Sequence, residues 1–172
     1  LRAGAFSVAS AGLTSLGAYT AAILATQYGA GLPVILACST LMGLIVAILL
    51  SLPLARLRGV YQAIATLAFV QIVLSLALYS EGLTGGALGL NAIPKLIGTP
   101  TLVVCVIAVF YLMSALDRTR LGQAFDAIRQ DEIVAATLGV NIASSQVVAF
   151  ALSGAIAGLF GGLIALNSYS ID

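Results

Sequence analysis

Long runs without charge constrain this chain more than any other feature. No residue between Arg2 and Arg56 is charged, and further charge-free runs cover 59–80, 96–116 and 133–171. A membrane-spanning helix needs about 20 mostly apolar residues, so each run can hold at least one. Only 8% of the residues are charged, against about 25% in a typical soluble domain. The sequence therefore predicts an all-α, multi-pass transmembrane helical bundle.

The charge-free runs divide into about five spanning helices within a single transmembrane domain, residues 1–172. The spans are expected near residues 4–28, 33–55, 60–80, 101–116 and 144–166. Between the third and fourth spans, the glycines and prolines of 81–100 bar a regular helix. This segment is predicted to be an external loop.

Small residues recur at helical spacing in two of the predicted spans. In the first span, serines, threonines and alanines share one face, which indicates either close helix packing or a polar strip along a pathway. In the last span, Gly154, Gly158 and Gly162 repeat every four residues. That spacing predicts close approach of neighbouring helices.

The connector at 117–141 holds more than half of the charged residues of the chain. Its apolar residues follow helical spacing, which predicts two short helices or one bent helix with a single apolar stripe. The residues of this stripe are Phe125, Ile128, Ala135 and Leu138. Ion pairs are expected between Asp126 and Arg129 and between Arg129 and Glu132. Gly139 and Asn141 are expected to end the helix.

Orientation follows from the basic residues, because loops on the cytoplasmic side of a membrane are enriched in Lys and Arg. With five spans, one side holds only Lys95. The other side holds all six arginines: Arg2, Arg56, Arg58, Arg118, Arg120 and Arg129. The connector 117–141 is therefore predicted to be cytoplasmic, and the loop 81–100 to be periplasmic.

Polar side chains in the third predicted span are the candidates for a substrate pathway. Gln62 and Thr66 share one face of that helix, and Gln71 lies on another. Amides in a membrane need hydrogen-bond partners, so they serve either a neighbouring helix or a transported solute. Together with Tyr61, these residues form the predicted pathway set.

Several classes of function are disfavoured by what the sequence lacks. It contains no histidine, which excludes a Ser–His protease site or a His-Glu-x-x-His metal site within these residues. No basic patch with interleaved aromatics indicates nucleic-acid binding, and Cys38 and Cys105 fit small apolar packing residues. The predicted spans hold no ionisable acid or base, which argues against a secondary transporter working without an ATPase, the rival hypothesis.

Seven sequence stretches together resemble the LivM-like permease subunits of branched-chain amino-acid ABC transporters. They are SLGAYTAA (15–22), RLRGVYQAIATLAF (56–69), LTGG (83–86), LGQA (121–124), AIRQDE (127–132), LGVN (138–141) and AFALS (149–153). The likeness runs in order along nearly the whole chain. Relatives in that family are longer at both ends, so the chain is expected to be incomplete.

The resemblance implies a transport permease with no catalytic residue, metal or cofactor of its own. It implies a bacterial inner-membrane location and three kinds of protein partner: ABC ATPase subunits that hydrolyse ATP, a second permease subunit in a heterodimer, and a periplasmic substrate-binding protein. The coupling helix would lie at 124–139, with Arg129, Asp131, Glu132 and Gly139 contacting the ATPase. Branched-chain amino acids, other amino acids, or urea and short amides are the implied solutes.

Overall fold

The computed structural model describes residues 9–29, 31–54, 57, 60–80, 90–91, 98–168 and 170–171. Seven α-helices lie in these ranges: α1 (Ala9–Gln27), α2 (Leu32–Leu54), α3 (Val60–Tyr79), α4 (Thr99–Asp117), α5 (Arg120–Gln130), α6 (Glu132–Thr137) and α7 (Ile142–Asn167). Two short strands, β1 (Leu90–Asn91) and β2 (Ser170–Ile171), pair antiparallel, with Leu90 opposite Ile171. The all-helical bundle predicted from the sequence is confirmed.

Four of the described helices are long and apolar enough to cross a membrane, namely α2, α3, α7 and α4 from Pro100 onward. They match the predicted second to fifth spans within a few residues. The predicted first span corresponds to α1, whose serines, threonines and glycines make it less apolar than the other four. Residues 4–8 of that span lie outside the described ranges, so a fifth crossing stays a prediction.

The core is a three-helix unit formed by α1, α2 and α7, which pack along much of their length. Glycines bring the three backbones into direct contact. A Cβ added to Gly17 would lie 2.5 Å from the carbonyl oxygen of Gly158. One added to Gly158 would collide with the carbonyl oxygen of Ser39, and one added to Gly43 with that of Gly154. The glycine spacing of the last span is therefore a packing surface, as predicted.

Hydroxyl groups inside the three-helix unit bond to the helix that carries them. Thr20 Oγ1 donates to the carbonyl of Leu16 at 2.7 Å, and buried Ser39 Oγ donates to that of Ile35 at 2.8 Å. Such a bond satisfies the hydroxyl within its own helix, so the hydroxyl needs neither a partner on another helix nor a row of water molecules. The structure thus favours packing over a polar pathway for the small residues of α1.

The helices α3 and α4 lie at the edge of the unit. α3 contacts α1, where a Cβ on Gly12 would lie 2.9 Å from Cε1 of Phe69. None of the side chains described in α4 is buried, although Cys105 packs against the apolar core of the unit. Both helices leave large apolar side chains exposed, as expected where lipid or further helices cover a membrane protein.

Candidate functional site

The connector begins at a sharp corner between α4 and α5. Thr119 adopts an extended backbone (φ −88°, ψ 167°) between the two helices. A Cβ on Gly122 would lie 2.6 Å from Cα of Asp117, so the first turn of α5 presses against the end of α4. Only a residue without a side chain fits at 122 at this distance.

The helix α5 buries one face and exposes the other. Phe125 and Ile128 are buried with Gly122, while Asp126 and Arg129 are exposed. This confirms the predicted apolar stripe for the first half of the connector, and two short helices rather than one bent helix form it. The predicted ion pair between Asp126 and Arg129 is not formed among the described side chains, and the predicted pair of Arg129 with Glu132 involves a side chain outside the described part.

Asp131 separates α5 from α6. Its backbone is extended (φ −158°, ψ 118°), and its N–H donates to the carbonyl of Ala127 at 3.1 Å. Its Oδ1 accepts hydrogen bonds from the backbone N–H of Ile133 at 2.8 Å and of Val134 at 3.2 Å. Asp131 is therefore the N-cap of α6 and satisfies two of the donors that a helix start leaves unpaired.

The end of α6 is a Schellman motif centred on Gly139, which has φ +82°. Its N–H donates to the carbonyl of Ala136 at 3.0 Å, and the N–H of Val140 donates to that of Ala135 at 3.1 Å. Asn141 then caps α7, because its Oδ1 accepts from the N–H of Ser144 at 3.2 Å. The helix stop predicted at Gly139 is confirmed, whereas Asn141 begins the next helix instead of ending this one.

Between the caps at Asp131 and Gly139, three large apolar side chains are exposed, two of them on α6 and the third directly after it. Ile133 is 78% exposed, Val134 52% and Leu138 73%. We call these three residues the α6 apolar patch. Leu138 belongs to the apolar stripe predicted from the spacing, and it is exposed whereas Phe125 and Ile128 are buried. On the same stripe, Ala135 is buried.

The four predicted coupling residues take different places around this patch. Arg129 is exposed at the end of α5, while Asp131 and Gly139 are exposed and form the two caps of α6. Glu132 begins α6, but its side chain lies outside the described part. Sequence reasoning missed Ile133 and Val134. The signal that could have found them is Asp131 followed by an acidic residue and then an apolar pair, which is typical of an N-cap and the first turn of a new helix.

The predicted pathway residues lie on different faces of α3, as their spacing indicated, and their role in a pathway stays a prediction. Gln62 is 6% exposed and Thr66 is fully buried, on the face of α3 that also carries Phe69. Tyr61 is 74% exposed, and Gln71 is also exposed on the outer surface of α3. The helical period separates them, because residues 61 and 71 project away from the face shared by 62 and 66.

The two buried polar groups of α3 differ in their hydrogen bonds. Thr66 Oγ1 donates to the carbonyl of Ala63 at 2.8 Å. The Nε2 of Gln62 is buried without a hydrogen-bond partner. A buried unpaired amide is costly in any protein interior, and in a membrane no water is at hand to relieve it. Gln62 is therefore the polar side chain of α3 whose presence most requires an explanation.

The fold and the connector together define a multi-pass helical membrane protein with a capped helical segment between two of its spans. The model of the family described as "Branched-chain amino acid transport system / permease component" matches residues 1–172. The chain belongs to this permease family.

Two relatives carry the same description, high-affinity branched-chain amino acid transport system permease protein LivM. One is from Escherichia coli (strain K12) and the other from Salmonella typhimurium (strain LT2). Each is 32% identical to this chain over an alignment that covers 90% of this chain and 44% of the relative. The chain thus spans less than half the length of these relatives. No solved structure was found to match it.

Proposed function

We propose that the chain is a transmembrane part of the permease subunit of an ATP-binding-cassette importer. The solutes are branched-chain or other amino acids, carried across the bacterial inner membrane. Family membership over the whole chain supports the transport role. The observation that carries the coupling role is the exposed apolar patch on α6, which is held between two caps and lies between two spanning helices.

The connector is the contact with the ATP-hydrolysing subunits. Its cytoplasmic placement rests on the excess of arginine on that side. Lipid explains exposed apolar side chains on a spanning helix, but it does not explain Ile133 and Leu138 on a segment that faces water. A groove on a partner protein would cover them, and the exposed Arg129 at the end of α5 would form part of the polar rim of that contact.

Movement of the connector would reach the membrane through α7. Only four residues, Leu138 to Asn141, separate α6 from α7, and Asn141 fixes the start of α7 by its cap. Because α7 packs on α1 and α2 through backbone contacts, the three-helix unit would move with it as one body. ATP-driven closure of the ATPase subunits would thus shift this unit between inward-open and outward-open states, through contacts that differ between the two.

The solute pathway would follow the buried face of α3 rather than its outer surface. Gln62 supplies an unpaired donor there, suited to a carboxylate or carbonyl oxygen of the solute, with Thr66 one turn away. The outer face with Tyr61 and Gln71 suits lipid, further helices or a second permease subunit. A periplasmic binding protein would deliver solute near 81–100, most of which lies outside the described residues.

A crosslinking experiment in native membranes tests the coupling role. Cys38 and Cys105 are replaced by Ala, and a single cysteine is introduced as Gln130→Cys, at an exposed position beside α6. We expect adducts with a subunit that mass spectrometry identifies as an ABC ATPase. The matched control variant is Tyr79→Cys. Tyr79 is 92% exposed at the far end of α3, so this variant should give no such adduct.

Accessibility controls the interpretation of that experiment. If the cysteine at 130 reacts with a soluble maleimide from the cytoplasmic side yet captures no ATPase, the importer function is wrong, and a carrier that works alone becomes the better hypothesis. A separate measurement addresses the solute. Comparing the uptake of labelled leucine with that of labelled urea distinguishes an amino-acid permease from an amide permease.

A further inference from the structure

We infer that Asp131 is a positioning residue of the connector, which presents the α6 apolar patch to the ATPase subunit and does not itself bind that subunit. The inference rests on the proposed function, since it concerns how the same segment meets its partner. It differs from the sequence-based expectation that Asp131 is one of the polar contacts. The observation behind it is the pair of hydrogen bonds from Ile133 and Val134 to Asp131 Oδ1.

A helix as short as α6 depends on its ends. It has six residues, far below the roughly 12–15 at which an isolated helix becomes even marginally stable in water. The first backbone N–H groups of any helix lack partners within the helix. Asp131 supplies an acceptor for two of them, and its negative charge is favourable at the positive end of the helix dipole.

Both caps act on the orientation of the patch. Asp131 fixes the first turn, in which Ile133 and Val134 lie, and Gly139 closes the last turn beside Leu138. Ala135, the next residue along the helix after Val134, is buried and anchors α6 to the rest of the protein. With the caps in place, the three apolar side chains project together from one rigid turn and a half. Without the N-cap, the first turn frays and two of them lose their fixed positions.

Capping and charge can be separated at this position by two crossed substitutions. Asp131→Asn removes the charge and keeps a good N-cap acceptor, whereas Asp131→Glu keeps the charge on a longer side chain that is not among the favoured N-caps. If Asp131 positions α6, the Asn variant should retain ATPase capture and solute-stimulated ATP hydrolysis. The Glu variant should lose roughly fivefold in both, the size of effect expected for a lost cap.

The readouts are the crosslinking yield of the cysteine at 130 and solute-stimulated ATP hydrolysis, both measured in the assembled transporter. Asp126→Ala serves as the control, because it removes an exposed carboxylate of α5 that caps no helix. Thermal stability of the bundle should not change in any of these variants, since Asp131 is exposed and outside the three-helix unit.

Three outcomes separate the hypotheses. Retention by Asn with loss by Glu supports positioning. Loss by Asn with retention by Glu means that the carboxylate charge binds the partner, and the inference is overturned. If the protein with unmodified Asp131 captures no ATPase at all, the proposed function itself has failed, and the role assigned to Asp131 fails with it.

Discussion

The three-helix unit and α3 are both built from apolar helices, yet they are held in opposite ways. In the unit, glycines let α7 touch the backbones of α1 and α2, so Gly158 lies against the carbonyl of Ser39. In α3, the contact with α1 is made by a side chain, the ring of Phe69 over Gly12. Backbone contacts allow no adjustment, whereas a ring can rotate or move aside.

This difference indicates which parts of the molecule move together. The hydroxyls of the unit are satisfied within their own helices, as Ser39 and Thr20 show, whereas α3 keeps the unpaired amide of Gln62. For the alternation between states that we propose, we expect the rigid unit, linked to the connector through α7, to move as one body beside a more adjustable α3. The predictions below test each side of the comparison.

The largest effect is expected at Gly158. The substitution Gly158→Ala places a Cβ against the Ser39 carbonyl and 3.1 Å from Cα of Gly43, so two backbones must separate. We expect a loss of about 2–3 kcal/mol in stability, typical of overpacking a tight core. Thermal unfolding of the purified protein in detergent micelles measures it.

A neighbouring position on α7 controls for the change of residue type. Ser153 is exposed on the same helix, and Ser153→Ala should leave the melting temperature within error. Equal melting temperatures for Gly158→Ala and the unchanged protein would show that the helices of the unit can move apart freely, and the rigid-body half of the comparison would be lost.

How much the sequence predicted depends on whether the signal is local. The glycine spacing of α7 and the stop at Gly139 depend on backbone geometry encoded by single residues, and both predictions were correct. The exposure of Leu138 depends on how α6 docks after the break at Asp131, which is set by tertiary contacts. Periodicity places Leu138 on the apolar stripe, but it does not say whether the protein itself or a partner covers that side chain.

The same limit applies to the pathway set. Helical periodicity separated Gln62 from Gln71 correctly, but it could not say which face of α3 meets α1. A polar side chain in a span has the same sequence signal whether it is buried or faces outward. Only the packing of α3 on α1 distinguishes the buried Gln62 from the exposed Gln71.

A smaller effect of opposite sign is expected at Gln62. Gln62→Leu removes a buried donor that has no partner and should stabilise the protein by about 1 kcal/mol, because the desolvation cost of that group disappears. Solute uptake should fall at the same time, with a raised KM, if Nε2 donates to the solute. Gln71→Leu, on the exposed face of the same helix, should change neither quantity. Gain of stability with unaltered uptake would remove Gln62 from the pathway.

The smallest effect is expected at Gly12, where the same Gly→Ala change meets a side chain instead of a backbone. The added Cβ would lie 2.9 Å from Cε1 of Phe69, the far end of a ring that can shift by a few tenths of an ångström. Alanine also favours the helix over glycine by roughly 0.5–1 kcal/mol, which offsets the cost of that shift. Gly12→Ala should therefore change the free energy of unfolding by less than about 0.5 kcal/mol. Substitutions at surface positions usually have effects of that size. A loss as large as that of Gly158→Ala would mean that α3 is held to α1 as tightly as α7 is, and α3 would then move with the unit rather than against it.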